Sequence, residues 1–242
     1  MRRKLAALTV LLLLLIPAIS QKRRPRKPSK LTPRQIAALI YPSTVSIYMT
    51  EGKKAVRAGS GFVVGSGLVA TCLHVVEGGG RIVVTTPAKD EYDRALDELR
   101  GEGDATVSRS DKALDLALLR VPSLRAVTPL KITKRQDYYI GDPVYTIGNP
   151  SGLEGTFSSG IISNFIQSEQ ASYLQFTAPV SAGSSGGPVV DDQGKVIAVV
   201  GSQLREGQSL NFAVMAWHLT PLLGGPAPTI RIDGNLRRNV IP

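Results

Sequence analysis

From Ser43 onward the chain alternates short apolar runs with turn-forming residues at near-even spacing. The runs are 45–49, 61–64, 68–71, 81–84, 116–119, 143–147, 160–162, 173–176, 188–190, 195–200 and 210–214, each bounded by Gly, Pro, Asn, Asp or Ser. Runs this short, punctuated this way, predict strands. No long helical pattern alternates with them, so the fold class is all-β, a sandwich or barrels, and not a parallel βαβ sheet. Ahead of the strands, Thr32-Pro33-Arg34-Gln35 supplies an N-cap, a first-turn proline and a glutamine three residues after the cap, with Ile36, Leu39 and Ile40 at helical spacing. That predicts a short opening helix. Two segments read differently: Glu91 to Arg100 is polar and reads as a helical turn on a hairpin, and Trp217 to Leu223 reads as a closing helix.

The amino terminus has its own pattern. Arg2-Arg3-Lys4 precedes an apolar run from Leu5 to Ile16, and Pro17-Ala-Ile-Ser20 offers small residues where signal peptidase reads. Residues 1–20 are therefore expected to be an export signal, removed ahead of Gln21. Twelve apolar residues are fewer than the roughly 20 a spanning helix needs, and an uncleaved signal anchor is the alternative. Residues 21–31 then form a basic, proline-interrupted linker. Charge matters only here: the chain is +10, but residues 1–30 carry nine Lys or Arg and no acid, which leaves 20 basic against 19 acidic residues elsewhere. A basic groove for specific nucleic acid binding is thus not implied. Residues 22–30, with six basic side chains, are expected to tether the body and to attract anionic lipid or cell-wall polymer.

One cysteine, Cys72, excludes an internal disulfide, and with two histidines it cannot supply a four-ligand zinc site from Cys and His alone. Neither a metal nor a cofactor is expected, and Cys72 reads as a small buried apolar residue. Ser185 lies in Gly183-Ser-Ser-Gly-Gly-Pro188, where glycines allow a serine to project while backbone N–H groups face a developing oxyanion. A base must come from His74, where an apolar run gives way to a loop, or His218, near the carboxyl end. The helix-surface or capping role suits His218 better. Asp115 stands in Leu114-Asp-Leu-Ala-Leu-Leu119, which reads as an acid inside a core strand that asks for a partner; Asp142, in turn-like sequence, is the second candidate.

The order His, Asp, Ser, with T-x-x-H-V-V at His74, D-L-A-L-L at Asp115 and G-S-S-G-G-P at Ser185, resembles the chymotrypsin-like serine proteases, in particular the bacterial HtrA (Deg) branch. Gly141-Asp-Pro-Val-Tyr-Thr-Ile-Gly-Asn-Pro150, Gly155-Thr-Phe-Ser-Ser-Gly-Ile-Ile-Ser163 and Ser209-Leu-Asn-Phe-Ala-Val214 are similar to further segments of that branch. The resemblance implies two six-stranded antiparallel barrels with the catalytic triad His74, Asp115 and Ser185 in the cleft between them. It implies an oxyanion hole at Gly183, Ser184 and Ser185, and a substrate pocket at Val180, Asn211, Phe212 and Ala213. Residues 32–225 would form the protease domain and 226–242 a tail too short for the PDZ domain that usually follows in the branch. Ser184 stands where the digestive enzymes carry an aspartate, so activation by that ion pair is not expected.

The expected function is a serine endopeptidase acting on polypeptides through an acyl-enzyme, exported to the periplasm or outside the cell and active in envelope protein quality control. The alternative is a catalytically silent binding or scaffold protein on the same fold.

Overall fold

The computed structural model describes residues 30–51, 54–86, 103–133, 138–148, 155–168, 171–201 and 211–226. The segments read as signal, most of the basic linker, the polar stretch 91–100 and all but the start of the tail lie outside the described residues. Helix α1, Pro33–Ile40, forms as its sequence dictates: Gln35 N donates to Thr32 Oγ1 at 3.3 Å while Thr32 N donates to Gln35 Oε1 at 2.9 Å. Ile36 and Ile40 are buried, whereas Leu39, expected on the same apolar side, is 46% exposed and borders Gly194.

Among the described residues twelve strands follow. The first six are β1 (Thr44–Glu51), β2 (Lys54–Gly65), β3 (Leu68–Cys72), β4 (Arg81–Thr85), β5 (Gly103–Asp111) and β6 (Leu116–Arg120), closed into an antiparallel barrel in the order β1-β2-β3-β6-β5-β4. The second six are β7 (Pro143–Gly148), β8 (Thr156–Gln167), β9 (Ser172–Phe176), β10 (Pro188–Val190), β11 (Val196–Val200) and β12 (Asn211–Met215), closed in the order β10-β11-β12-β9-β8-β7. Closure leaves none of the described strands as an open edge. A 3-10 turn, Ala216–His218, leads into the closing helix α2, Leu219–Leu222.

Every predicted strand is present. The pattern missed β5, whose sequence GDATVSRSD has a single buried apolar side chain, Ala105, and is otherwise exposed or polar. It is held by its ladders, Ile82↔Ala105 on one side and Asp111↔Leu116 on the other, and not by a hydrophobic stripe. Phe62, Ile47, Leu116 and Leu119 are fully buried in a cluster that fills the first barrel and continues into the second through Ile147, Val190, Val199 and Val214, while Phe176, Leu174, Ile162 and Ile197 are buried in a separate cluster of the second barrel.

Candidate active site

The ladder between β3 and β6 sets the first half of the site. Cys72, last in β3, pairs with Leu116, first in β6, so the residues just beyond the two ends are brought side by side. Beyond β3 the chain turns through a 3-10 helix, Leu73–Val75, that carries His74 out to a side-chain exposure of 43%. Before β6 a turn ends at Asp115. The sequence reading placed Asp115 inside the strand; the structure corrects this, since Asp115 precedes the ladder with φ +52° and a side chain 39% exposed. Among the described residues it is the one non-glycine in the left-handed region, a conformation that persists only where the surroundings enforce it. They do: Leu73 N donates to Asp115 O at 3.0 Å and His74 N donates to Oδ1 at 2.9 Å.

His74 Nδ1 then lies 2.6 Å from Asp115 Oδ2. With Nδ1–H donating to the carboxylate, Nε2 is the ring's free acceptor, the tautomer a general base requires. The hydrogen bond to Asp115, followed by its charge, holds the His74 pKa above 6.5 against the opposing effect of burial. For Asp115, burial alone would raise the carboxyl, but the His74 ring and the two backbone N–H donors outweigh it and the pKa falls below the ordinary value. Asp142, the second candidate, accepts Tyr139 N at 2.9 Å and caps its own turn. His218 is 6% exposed, not on a helix surface, and its Nε2 accepts the backbone N–H of Ser172 at 3.2 Å.

The second barrel supplies the serine. The loop from Ser181 to Gly187 runs into β10, and it is tight: Ser184 N donates to Ser181 O at 2.9 Å and Gly187 N to Ser184 O at 3.0 Å. Gly183, at the third position of the first turn, has φ +96°, as a type II turn demands. Ser184 was expected to contribute to the oxyanion hole; its N–H instead closes that turn, and Gly183 and Ser185 are the two expected donors not so used. Among the described residues those two N–H groups donate no hydrogen bond.

Two hydrogen bonds dock this loop on the first barrel: Ser60 N donates to Ser185 O at 2.8 Å and Ser60 Oγ donates to Gly183 O at 2.6 Å. On the second barrel, Val200 O accepts both Gly186 N of the loop at 2.8 Å and, across the barrels, Cys72 Sγ at 3.2 Å. A Cβ on Gly59 would meet Val75 at 2.7 Å and Ser185 O at 2.9 Å, so the histidine turn and the serine loop flank the same glycine. A Cβ on Gly186, which has φ +84°, would lie 2.2 Å from Ser60 O and from Thr71 Oγ1. Sequence reasoning missed Ser60 and Thr71. The available signal was the Gly59-Ser-Gly61 triplet inside a strand, a mark of close backbone approach.

Of the expected pocket, Asn211 and Ala213 are buried on β12 and Phe212 is half-buried. Asn211 Nδ2 donates to Ala178 O at 2.8 Å and Gly201 N to Phe212 O at 3.0 Å, while Val180 packs against the second core. Cys72 is buried as expected. Burial, and then the Asp115 charge, push its thiol far up, so it is no nucleophile. One expectation changes: weighing Cys and His alone left no metal site, but the fold adds a carboxylate, and ligand atoms of Cys72, His74 and Asp115 lie within 4.8 Å of one another.

The trypsin-like peptidase domain family matches residues 59–199. The chain is 30% identical over 196 residues to the anti-sigma-I factor RsgI9 of Acetivibrio thermocellus, covering 81% of this chain and 26% of that protein. It is 29% identical to the bovine mitochondrial serine protease HTRA2, covering 77% of this chain and 40% of the relative. It is 34% identical over 155 residues to a probable periplasmic serine endoprotease of the DegP type from Rhizobium meliloti, covering 62% of this chain and 29% of the relative. The chain thus spans well under half the length of these curated relatives. Among solved structures, the HtrA-type protease AlgW with a decapeptide superposes with a TM-score of 0.66 at 20% identity, over 77% of this chain and 64% of that one. A serine endoprotease from Yersinia pestis gives 0.66 at 24%, over 81% and 66%. Two closed barrels, a His–Asp pair on the first and a glycine-bounded serine on the second, together with the match over residues 59–199, lead to one conclusion: the chain belongs to the trypsin-like peptidase domain family.

Proposed function

We propose that the protein is a serine endopeptidase that cleaves polypeptides through an acyl-enzyme. The observation that carries the reading is the 2.6 Å contact of His74 Nδ1 with Asp115 Oδ2, on a histidine whose turn abuts the loop of Ser185. Ser185 Oγ attacks the scissile carbonyl as His74 Nε2 takes its proton. Asp115 holds the tautomer and stabilises the imidazolium, and the N–H groups of Gly183 and Ser185 receive the oxyanion. His74 then protonates the leaving amine, and water, deprotonated by the same ring, releases the acyl group. Thr177 to Val190 and Gln208 to Ala216 contain no Asp or Glu, so the pocket near Val180 and Asn211 to Ala213 suits small or medium apolar side chains.

Relatives named as a probable periplasmic endoprotease and as an HtrA-type protease with a decapeptide support polypeptide substrates and export; a role in envelope protein quality control is part of the same proposal. Residues 22–30 would add attachment to anionic lipid or wall polymer. Hydrolysis of an unfolded protein such as reduced casein, with wild type and Ser185→Ala in parallel, tests the reading. Fragments from wild type alone are expected. Equal fragmentation by both, or by neither, overturns it in favour of a silent binding protein.

A further inference from the structure

We propose that Cys72, His74 and Asp115 form an inhibitory site for a thiophilic divalent cation such as Zn2+. The three side chains come from the end of β3, the turn after it and the turn before β6, and their ligand atoms all lie within 4.8 Å of one another. A zinc ion with one thiolate at about 2.3 Å and N and O ligands at about 2.0–2.2 Å holds those atoms roughly 3.2–3.8 Å apart. The donor set is therefore already gathered to within about an ångström of a three-ligand site, with solvent for the fourth position.

Two of the three ligands are accessible: His74 and Asp115 are 43% and 39% exposed at their side chains, while Cys72 is 1% exposed and its Sγ donates to Val200 O at 3.2 Å, a contact the ion would replace. The balance is simple. The thiol loses its proton to solvent, the Nδ1 proton of neutral His74 is replaced by one on Nε2, and no electron moves; one proton is released per ion bound.

That shift of tautomer is what inhibits. Nδ1 is the ring nitrogen that faces Asp115, and once it is a metal ligand, Nε2 carries hydrogen and cannot accept the Ser185 proton. The binding does not depend on the catalytic reading; its consequence for turnover does.

Untagged full-length protein is titrated with Zn2+ by calorimetry in buffers of different ionisation enthalpy, and with Co2+ for thiolate-to-metal charge-transfer absorption. Turnover is followed against free Zn2+ and after chelation. Wild type should bind one ion with release of about one proton, show the Co2+ band, and lose activity reversibly. Cys72→Ala should lose the band and bind Zn2+ at least roughly 10- to 100-fold more weakly, the scale of losing even an outer partner that hydrogen-bonds to a ligand. Each variant's inhibition is referred to its own metal-free rate, so altered turnover in Cys72→Ala cancels. Cys72→Ser is a second variant should the alanine fail to fold. Equal Zn2+ affinity in wild type and a folded Cys72 variant, or no Co2+ band in wild type, overturns the proposal. Binding as expected without turnover in any form overturns the protease reading alone.

Discussion

Ser60, on the first barrel, donates its hydroxyl to the carbonyl of Gly183, on the second, at 2.6 Å, and its own N–H to Ser185 O at 2.8 Å. Ser60 is fully buried. Fixing the Gly183 carbonyl fixes the turn that presents the Gly183 N–H, so on the proposed mechanism the first barrel would hold the oxyanion donors in place. Ser60→Ala should lower kcat roughly 10- to 100-fold, less than the ~10²–10³ of losing a donor outright, with KM little changed. A peptide aldehyde, which becomes tetrahedral on the serine, should lose affinity in parallel. Urea denaturation should show a loss of about 0.5–1.5 kcal/mol for the lost hydrogen bond to this part-buried carbonyl.

Asp115→Asn should keep the fold and reduce kcat by about 10⁴, because an amide can donate to Nδ1 and favour the wrong tautomer. Combining it with His74→Ala should cost little beyond the single change, as the groups act as one unit. Steady-state kinetics of the two single variants and the double decide this; additive losses would show separate roles.

The pH profile follows from the His74 shift. The base must be neutral to act, and the hydrogen bond to Asp115 keeps it protonated to higher pH, so kcat/KM should rise with pH through an apparent pKa above 6.5. In Asp115→Ala the residual activity should rise at lower pH. A limb at or below 6.5 in wild type contradicts the pairing.

Stability carries a second, opposite signal. Burial holds the His218 pKa below 6.5, so its neutral form is bound to the fold. Its contribution is complete above pH 6.5 and is lost as pH falls from there toward the depressed folded value. The urea midpoint should drop over that window in wild type and less steeply in His218→Gln.

Gly186 has φ +84° and no room for a Cβ beside Ser60 O and Thr71 Oγ1. Gly186→Ala should cost at least the ~1–2 kcal/mol of a left-handed residue and displace the serine loop. Thermal unfolding and labelling of Ser185 report the two effects separately.

The readable part of this molecule is local. Val- and Ile-rich runs bounded by glycine identify eleven strands, and the Thr32–Gln35 capping box identifies the opening helix, because each signal lies within a few residues. What stayed hidden arises from register. Strand β5 has little apolar patterning of its own and exists because β4 and β6 pair with it. Asp115 reads as part of a strand, since nothing in Leu114-Asp-Leu-Ala reveals φ +52°. Ser60, 123 residues from Gly183, and Cys72, 43 from Asp115, become site neighbours only once two barrels close.

Pocket chemistry gives a further outcome. On a peptide library the enzyme should prefer Val, Ala, Ile or Leu over Lys or Arg before the cut, since the stretches expected to line the pocket hold no carboxylate. Deleting residues 22–30 should leave those constants on a short neutral peptide unchanged and weaken binding to anionic vesicles, most at low salt. Preferred cleavage after Lys or Arg would place the pocket elsewhere.

The central claim is that Ser185 is a nucleophile activated by His74 and Asp115. Reaction with a fluorophosphonate probe, followed by peptide mass mapping, tests it most directly. One adduct on Ser185 is predicted in wild type, none in Ser185→Ala, and labelling slowed at least 10³-fold in His74→Ala, the scale of removing a triad member. Absence of an adduct on folded wild-type protein, or labelling of Ser185 at equal rates with and without His74, would contradict it.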